Sequence, residues 1–233
     1  MNRWLQRSEL LLGKDSLEKL SKACVGIFGI GGVGSYAAES LARSGIGKLV
    51  LVDYDIIDIS NLNRQVHATS KTVGMLKVEA MKDRLVEINP NIIINPISIK
   101  YSYATSEHFN LSEYDYIVDA VDMVSSKLEL VKNARKLGIP IISSMGAGNK
   151  LNPADFLVSD IFKTSVCPLA RVMRHELRKL NIPDLKVVYS KEEPIKTSLM
   201  DESNKKLIPG SVSFVPPVVG MIIASEVIKD LLK

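Results

Sequence analysis

The sequence predicts an α/β fold, in which helices flank a mostly parallel sheet and a C-terminal extension completes the domain. Two observations support this prediction. Short apolar runs alternate with longer amphipathic stretches along most of the chain, which is typical of strand–helix–strand units. The composition is that of a globular protein, since 46% of the 233 residues are hydrophobic and 24% are charged, and the length fits one large domain.

The first part of the chain contains three apolar runs separated by two stretches of helical periodicity. Gly45 follows the first periodic stretch and Asn89-Pro90 the second, and both are helix-stop signals. The predicted elements are strands over 23–28, 48–53 and 92–99 and helices over 33–44 and 72–88.

The rest of the chain continues this alternation and then becomes less regular. The natural division falls near residue 148, and the polar stretch 190–210 shows little periodicity, so a mobile loop is expected there. The predicted elements are strands over 115–121, 140–144 and 155–159 and helices over 124–137, 168–180 and 214–232.

Composition excludes several classes of protein. Cys24 and Cys167 are the only cysteines, too few for a disulfide scaffold or an all-cysteine zinc site. The N-terminus lacks the apolar run of a signal peptide, and the longest apolar stretch, 212–228, is broken by two prolines and a glutamate. A buried C-terminal helix is therefore favoured over membrane contact, and a cytoplasmic location is expected. A net charge of +4 permits a polyanionic partner without requiring one.

A glycine-rich loop joins the first strand to the first helix. Residues 29–34 fit G-x-G-x-x-G, and Asp53 ends the second strand. Glycines there permit a tight turn and close approach of backbone amides to a phosphate, while the acid can accept from ribose hydroxyls. The order of elements predicts a Rossmann-like nucleotide site, although a purely structural turn is the alternative. The glycines concerned are Gly29, Gly31, Gly32 and Gly34.

Further polar residues favour a triphosphate over a dinucleotide. Asn61, Arg64 and Gln65 follow the second strand, and Lys77 lies near the start of the next helix. Two cations and an amide suit the charge of a triphosphate better than a hydride-transfer pocket. A solvated loop and an exposed helix lysine are the alternative interpretation of each residue taken alone.

Two acids lie at the end of the fourth predicted strand, Asp119 and Asp122. The carboxyl ends of strands in open α/β sheets border the ligand crevice, where a carboxylate can hold Mg²⁺ against phosphates. Asp122 is the metal candidate, and Asp119 is interpreted rather as a residue that ties down the neighbouring backbone.

Together these motifs resemble the ubiquitin-activating-enzyme-like (ThiF/MoeB) adenylyltransferase superfamily. Within it the chain is most similar to the branch of tRNA threonylcarbamoyladenosine dehydratases. The superfamily motifs are 29–35, 53–55, 61–65, Lys77 and Asp122, and the branch is indicated by 7–13, 146–148, 160–164 and 210–216.

The resemblance implies an enzyme of the ligase class that uses ATP and Mg²⁺. Residues 1–148 would form the adenylation core and 149–233 a substrate and dimer extension of the same domain. The glycine loop would hold the phosphates, which Asn61, Arg64 and Lys77 would also contact. Asp53 would bind the ribose and Asp122 the metal, and Asp55 and Gln65 complete the cofactor-binding set. Catalytic roles fall to Arg64, Lys77, Asp122 and Arg7, the last acting on the partner's ATP in a homodimer, with Arg3 as a nearby competitor.

The implied substrate is tRNA that carries t6A at position 37. Its carboxylate would be adenylated and then attacked by the ureido group of the same modification, which yields ct6A, AMP and pyrophosphate. An activator of the Gly-Gly terminus of a ubiquitin-like sulfur carrier is the alternative, disfavoured because the chain lacks CxxC pairs. A non-enzymatic nucleotide-binding module and a nicotinamide dehydrogenase are weaker alternatives. The resemblance implies no DNA partner.

A basic helix and a cysteine adjoin each other in the C-terminal part. The arginines of helix 168–180 are expected to face largely outward. The basic residues either contact the tRNA backbone or are merely solvated, and they are Arg171, Arg174, Arg178 and Lys179. Cys167 precedes this helix and is interpreted as a small structural residue rather than as a nucleophile.

Overall fold

A computed structural model describes residues 3–198, 200 and 207–233. Among these residues, seven strands form one sheet in the order β3-β2-β1-β4-β5-β7-β6. All neighbours pair in parallel except β6, which runs antiparallel to β7 at one edge. The strands are β1 (Cys24–Phe28), β2 (Lys48–Val52), β3 (Ile93–Ile97), β4 (Tyr116–Asp119), β5 (Ile141–Ser144), β6 (Phe156–Asp160) and β7 (Lys186–Ser190).

Helices cover both faces of the sheet, because alternate residues of each buried strand point to opposite sides. In β1, Val25 and Ile27 pack into the core with α3, α4 and α7, whereas Cys24 and Phe28 pack with α5. Helix α6 completes the second face against α5 and β7. The helices are α1 (Gln6–Leu12), α2 (Lys14–Lys22), α3 (Gly34–Arg43), α4 (Lys77–Ile88), α5 (Val124–Leu137), α6 (Pro168–Lys179) and α7 (Pro216–Leu231).

This architecture confirms the predicted fold class. The order 3-2-1-4-5 of the first five strands is that of a nucleotide-binding α/β sheet, with a change of direction between β1 and β4. The expected buried C-terminal helix is α7, which packs on α3, and a Cβ atom at Gly220 would overlap the carbonyl oxygen of Val33. No helix within the described ranges has the length and apolarity needed to cross a membrane.

Several elements differ from the prediction. Strand β7 and helices α1 and α2 were not predicted, and helix α4 begins at Lys77 rather than at residue 72. The stretch before α4 cannot be helical, because Gly74 has φ = 90° and Gly74 and Met75 exchange backbone hydrogen bonds with Ile57. The predicted irregular segment 190–210 lies partly outside the described residues.

An ion network ties the last helix to two strands. Asp230 of α7 accepts hydrogen bonds from Tyr116 Oη at 2.8 Å, Lys186 Nζ at 2.8 Å and Lys233 Nζ at 2.7 Å. Burial would raise the pKa of Asp230, but these hydrogen bonds outweigh it and lower the pKa to about 2. The charged carboxylate therefore stabilises the folded state.

We expect Asp230→Asn to reduce the free energy of unfolding at pH 7 by about 2 kcal/mol, the value of the pKa depression. Because the folded pKa is lowered, the wild type has this stabilisation above the unfolded pKa and loses it as pH falls through about 2. Urea unfolding of both proteins at pH 7 and at pH 3 measures the difference. If the difference in the free energy of unfolding between the two proteins were the same at both pH values, the stabilising role of the Asp230 carboxylate would be contradicted.

Candidate functional site

A cleft opens at the carboxyl ends of the central strands. Its volume is about 420 Å³, and it lies where the strand order reverses between β1 and β4, the usual ligand position in such sheets. It gathers residues from the glycine loop, the ends of β2, β3 and β4, the turn after β2, the loop after β5 and the approach to α7. The residues predicted for the nucleotide that line it are Gly29, Gly31, Gly32, Asp53, Asp55, Asn61, Arg64, Gln65, Lys77 and Asp122.

The glycine loop is shaped by two close backbone contacts. Gly29 has φ = 88°, and a Cβ atom there would lie 2.6 Å from the carbonyl oxygen of Ala120. A Cβ atom at Gly34, the first residue of α3, would overlap the carbonyl oxygen of Gly29. Gly31 differs, because no atom lies within 4 Å of its added Cβ and its open side belongs to the cleft. Gly29 and Gly34 thus shape the loop, and Gly31 leaves room for a ligand.

We expect Gly34→Ala to reduce stability and Gly31→Ala to reduce the affinity for ATP. The first should destabilise the fold by about 1–3 kcal/mol or more, since two backbone segments must separate. The second should leave the melting temperature unchanged but weaken ATP binding at least about tenfold, because its methyl group occupies the space that a phosphate would use. Thermal unfolding with and without ATP distinguishes them. Equal destabilisation by both variants would contradict this division.

Asp53 lies at the end of β2 with 8% of its surface exposed. Its Oδ2 accepts the backbone N–H of Ile30 at 2.6 Å, and its Oδ1 accepts that of Asp55 at 2.9 Å. Burial raises its pKa, although Lys77 and these two hydrogen bonds oppose the rise. The carboxylate is held rigidly, and each oxygen retains a lone pair that can accept from a hydroxyl group.

Lys77 and Asp55 form an ion pair inside the cleft. The Lys77 side chain starts at the first residue of α4 and is 8% exposed, and its Nζ lies 2.7 Å from Asp55 Oδ2. Asp55 is 47% exposed, so water solvates much of its carboxylate. The ion pair with Asp55 therefore fixes the position of the Lys77 ammonium group within the cleft.

The turn after β2 fixes the remaining predicted phosphate contacts. Asn61 Oδ1 accepts the backbone N–H of Asp58 at 3.1 Å, in a reciprocal capping arrangement. Arg64 donates to the carbonyl oxygen of Ser60 and to Asn63 Oδ1, both at 2.9 Å. Burial lowers the pKa of Arg64, and its side chain lies against Gly32. The turn thus holds the partly desolvated Arg64 side chain with its aliphatic part against the glycine loop.

Two buried polar side chains of this turn lack partners within the described residues. They are Gln65, through Oε1, and His67, through both ring nitrogens. Burial, together with the charges of Lys77 and Arg84, lowers the pKa of His67 to about 4. The histidine is therefore neutral at pH 7. Sequence reasoning missed it, since it comes two residues after Gln65 with no pattern of its own.

The two acids after β4 have different environments. Asp122 is exposed in the cleft and forms no side-chain hydrogen bond or ion pair with the described residues. Asp119 is fully buried: Oδ2 accepts from Lys127 Nζ at 3.1 Å and Ser143 Oγ at 2.5 Å, and Oδ1 from the N–H of Val121 at 3.3 Å. Asp119 therefore ties down the backbone that leads to Asp122, as predicted.

Lys127 is the main residue of this site that sequence reasoning missed. It is fully buried on α5, and its Nζ also donates to Ser143 Oγ at 3.1 Å and to the carbonyl oxygen of Ser144 at 2.8 Å. A signal was present, because Lys127 lies on the apolar face of the predicted helix, with Val124 and Leu130, three residues away on either side. The lysine thus joins β4, β5 and α5 directly beneath the cleft.

The cleft carboxylates can bind Mg²⁺ only if phosphate oxygens of the substrate supply further ligands. No three His, Cys, Asp or Glu side chains cluster for a metal in the part of the chain that the structure describes. Of the cleft carboxylates, Asp53 accepts two backbone amides and Asp55 is paired with Lys77, which leaves Asp122 as the available hard oxygen ligand. A single carboxylate with substrate phosphates and water is a usual Mg²⁺ arrangement.

Residues of the C-terminal part close the opposite wall. Ala147 and Gly148 follow β5, and Pro209, Gly210 and Ser211 precede α7. The carbonyl oxygen of Ser211 accepts from Asn63 Nδ2 at 3.0 Å, which links this wall to the turn after β2.

The other predicted site residues lie outside the cleft. Arg7 is exposed on α1 and does not line the cleft of its own chain. On α6, Arg171 is exposed, whereas Arg174 is half-buried and donates to the carbonyl and hydroxyl oxygens of Thr164. Arg178 stacks 5.3 Å from the ring centre of Phe162, and Lys179 pairs with Glu176 at 2.8 Å. The arginines of this helix are largely exposed, as expected, and Arg174 is the one that turns back toward the chain.

Neither cysteine is exposed. Cys167 is buried in the core cluster of α6 with Met145 and Met173, in agreement with its structural interpretation. Cys24 is buried in β1, and burial raises the pKa of its thiol.

Comparison with known proteins agrees with the site. The model of the ThiF family matches residues 5–233. A tRNA threonylcarbamoyladenosine dehydratase of Bacillus subtilis is 44% identical over 238 residues, which cover 97% of this chain and 94% of the relative. The crystal structure of the E. coli tRNA N6-threonylcarbamoyladenosine dehydratase in complex with ATP is 30% identical, with a TM-score of 0.89, and covers all of this chain and 96% of that one. An E. coli molybdopterin-synthase adenylyltransferase is 36% identical over only 55% of this chain and 51% of its own length. The chain therefore belongs to the ThiF family, in its branch of tRNA threonylcarbamoyladenosine dehydratases.

Proposed function

We propose that this protein is an ATP-dependent dehydratase that converts t6A at position 37 of tRNA to its cyclic form. The observation that carries the proposal is one cleft that combines a glycine loop with Asp53, Arg64, Lys77 and Asp122. These groups suit a nucleoside triphosphate and the charge that develops when pyrophosphate leaves. Similarity to dehydratases over almost the whole chain supports tRNA as the substrate.

Each side chain then has a role that follows from its contacts. Asp53 accepts from the ribose hydroxyls, and the amides of the glycine loop donate to the phosphates. Lys77 moves from Asp55 to the phosphates, and Arg64 stabilises the departing pyrophosphate. Asn61 and Gln65 contribute polar groups beside them. Asp122 would hold Mg²⁺, which neutralises phosphate charge when bound.

The reaction needs two displacements. The t6A carboxylate attacks the α-phosphorus of ATP, pyrophosphate leaves, and the carboxyl carbon becomes electrophilic. The ureido nitrogen of the same modification then attacks that carbon, loses its proton, and AMP departs as the ring closes. The net change is loss of one water, whose oxygen leaves with AMP. No external nucleophile is needed, because the attacking nitrogen is already tethered.

The proposal includes a homodimer in which Arg7 reaches the partner's nucleotide. Its support is that Arg7 is exposed and absent from the cleft of its own chain. A mixture of Arg7→Ala and Lys77→Ala subunits tests this directly. Mixed dimers would contain one intact site, so refolding equal amounts together should restore about one quarter of wild-type AMP formation. Both variants alone should be inactive, and a mixture without recovery would contradict action in trans.

Helix α6 is proposed as part of the tRNA-binding surface. Arg171 is its most available cation, while Arg174, Arg178 and Lys179 contribute charge despite their contacts within the chain. Binding through phosphates would weaken steeply as salt rises. The affinity of Arg171→Ala for tRNA should therefore be lower and less dependent on salt than that of the wild type.

One assay tests the function as a whole. The protein is incubated with ATP, Mg²⁺ and tRNA that carries t6A, and the tRNA is digested to nucleosides. We expect t6A to lose the mass of one water with stoichiometric AMP. Unmodified tRNA is the control. Pyrophosphate release with formation of an acyl-adenylate on a sulfur carrier ending in Gly-Gly, and no loss of water from t6A, would overturn the proposal in favour of carrier activation.

A further inference from the structure

Asn149 holds a distant part of the chain through three hydrogen bonds. Its N–H donates to the carbonyl oxygen of Gly210 at 2.8 Å, and its Oδ1 accepts the N–H of Gly210 at 2.5 Å. Its own carbonyl oxygen accepts the N–H of Ile195 at 2.8 Å. Asn149 has φ = 59°, a left-handed conformation that asparagine tolerates better than most residues. These three hydrogen bonds fix the positions of Gly210 and Ile195 relative to Asn149.

The segment that Asn149 holds is a wall of the cleft. We refer to residues 207–212 as the strap. Pro209, Gly210 and Ser211 of the strap line the cleft, and a Cβ atom at Gly148 would lie 3.1 Å from the Pro209 side chain. Asn63 secures the strap from the other side, through the carbonyl oxygen of Ser211 at 3.0 Å. The strap is thus fixed between the loop after β5 and the turn after β2.

The strap borders a part of the cleft that is distinct from the glycine loop and Asp53. The glycine loop and Asp53 follow β1 and β2, so phosphates and ribose would occupy that half. Gly148 follows β5 and the strap precedes α7, and together they form a wall on the other side of the cleft. This wall is therefore available to the second substrate, whose carboxylate must come close to the α-phosphorus of ATP.

We propose that Asn149 is a positioning residue that sets the strap as the wall against which the modified nucleotide of the tRNA is placed. The proposal rests on the proposed function, since that function defines the acyl substrate. Asn149 itself touches neither substrate. It acts through Gly210, whose N–H and carbonyl oxygen are both bonded to it and whose neighbours Pro209 and Ser211 face the cleft.

Asn149→Gly is the informative variant, because glycine adopts the left-handed conformation and keeps both backbone bonds while it deletes Oδ1. We expect the KM for t6A-containing tRNA to rise about 3- to 10-fold, as for one lost hydrogen bond. The Kd for ATP should stay within about twofold. Asn149→Asp retains an acceptor oxygen and should restore the KM to near the wild-type value. Hydrogen exchange at the Gly210 amide should be faster in Asn149→Gly alone.

Four results would overturn the inference. They are an unchanged KM for tRNA in Asn149→Gly, an equal loss of ATP affinity, no rescue by Asn149→Asp, and unchanged exchange at Gly210. A wild-type protein that leaves t6A intact overturns the proposed function itself, whereas an active wild type with an unaffected Asn149→Gly overturns only the role of Asn149. The two failures are therefore distinguishable.

Discussion

Replacing Lys77 with alanine is expected to lower AMP formation at least about 100- to 1,000-fold, the scale on which one preorganised charge stabilises a transition state. The ammonium lies beside the glycine loop in a cleft where it is 8% exposed, so its field is little screened by water. Single-turnover assays with t6A-containing tRNA measure the change. Because the charge matters most as pyrophosphate leaves, the rate constant should fall more than the affinity for ATP.

The fold should survive this substitution. Asp55, the partner of Lys77, is 47% exposed, so water can solvate the carboxylate that remains. Lys82→Ala is the matched control, because Lys82 lies on the same helix, has 40% of its side chain exposed and pairs only with Glu79, at 3.8 Å, among the described residues. It should keep wild-type activity. A fully active Lys77→Ala would refute the site, and an unfolded one would refute the argument from solvation.

The largest effect on stability is expected from Lys127→Ala. Removing the lysine leaves the Asp119 carboxylate fully buried with no cation, which costs about 3–5 kcal/mol. For a chain of this length the melting temperature should fall by roughly 6–20 °C. Thermal unfolding followed by circular dichroism measures it. Lys132→Ala is the control on the same helix, because Lys132 is exposed and its pair with Glu129 at 2.8 Å should contribute little.

A double substitution isolates the cause of that loss. Asp119→Leu combined with Lys127→Met removes both charges and keeps most of the buried volume, so much of the stability should return. If the double variant is as unstable as Lys127→Ala, lost packing rather than an unpaired charge is responsible, and the interpretation of this ion pair is wrong.

The parts of the fold that sequence reasoning found are those with strong local signals. The run from β1 through the glycine loop to α3 and Asp53 combines apolar periodicity, glycine spacing and a terminal acid, all of which are local. Strand β7 has only three apolar residues between Lys186 and Ser190, and it is buried because β5 and β6 pair with it on both sides. Lys186 is neutralised there by Glu226 and Asp230 of α7, a contact that no local pattern predicts.

In the candidate site, too, only the residues with a local sequence signal could be predicted. Motif residues that follow strands, such as Asp53 and Asp122, could be placed at one edge of the sheet, because parallel strands end together. Their partners could not be placed. Lys127 is close to Asp119 in sequence, but its contacts depend on how α5 packs against β4 and β5, and the strap reaches the site across a long separation in sequence. Arg174 shows the limit of helical periodicity, which places a side chain on an outer face but does not reveal that it turns back to Thr164.

The position of the strap has a consequence for the order in which the protein is made. The glycine loop, the turn after β2 and Asp122 leave the ribosome early, whereas residues 207–212 come near the end of the sequence. A growing chain can therefore form most of a nucleotide site well before the wall opposite it exists. Any ATP bound at that stage would lie in an open cleft that water can enter. Competence for chemistry thus depends on the emergence of residues 207–212, because these residues form the wall opposite the glycine loop.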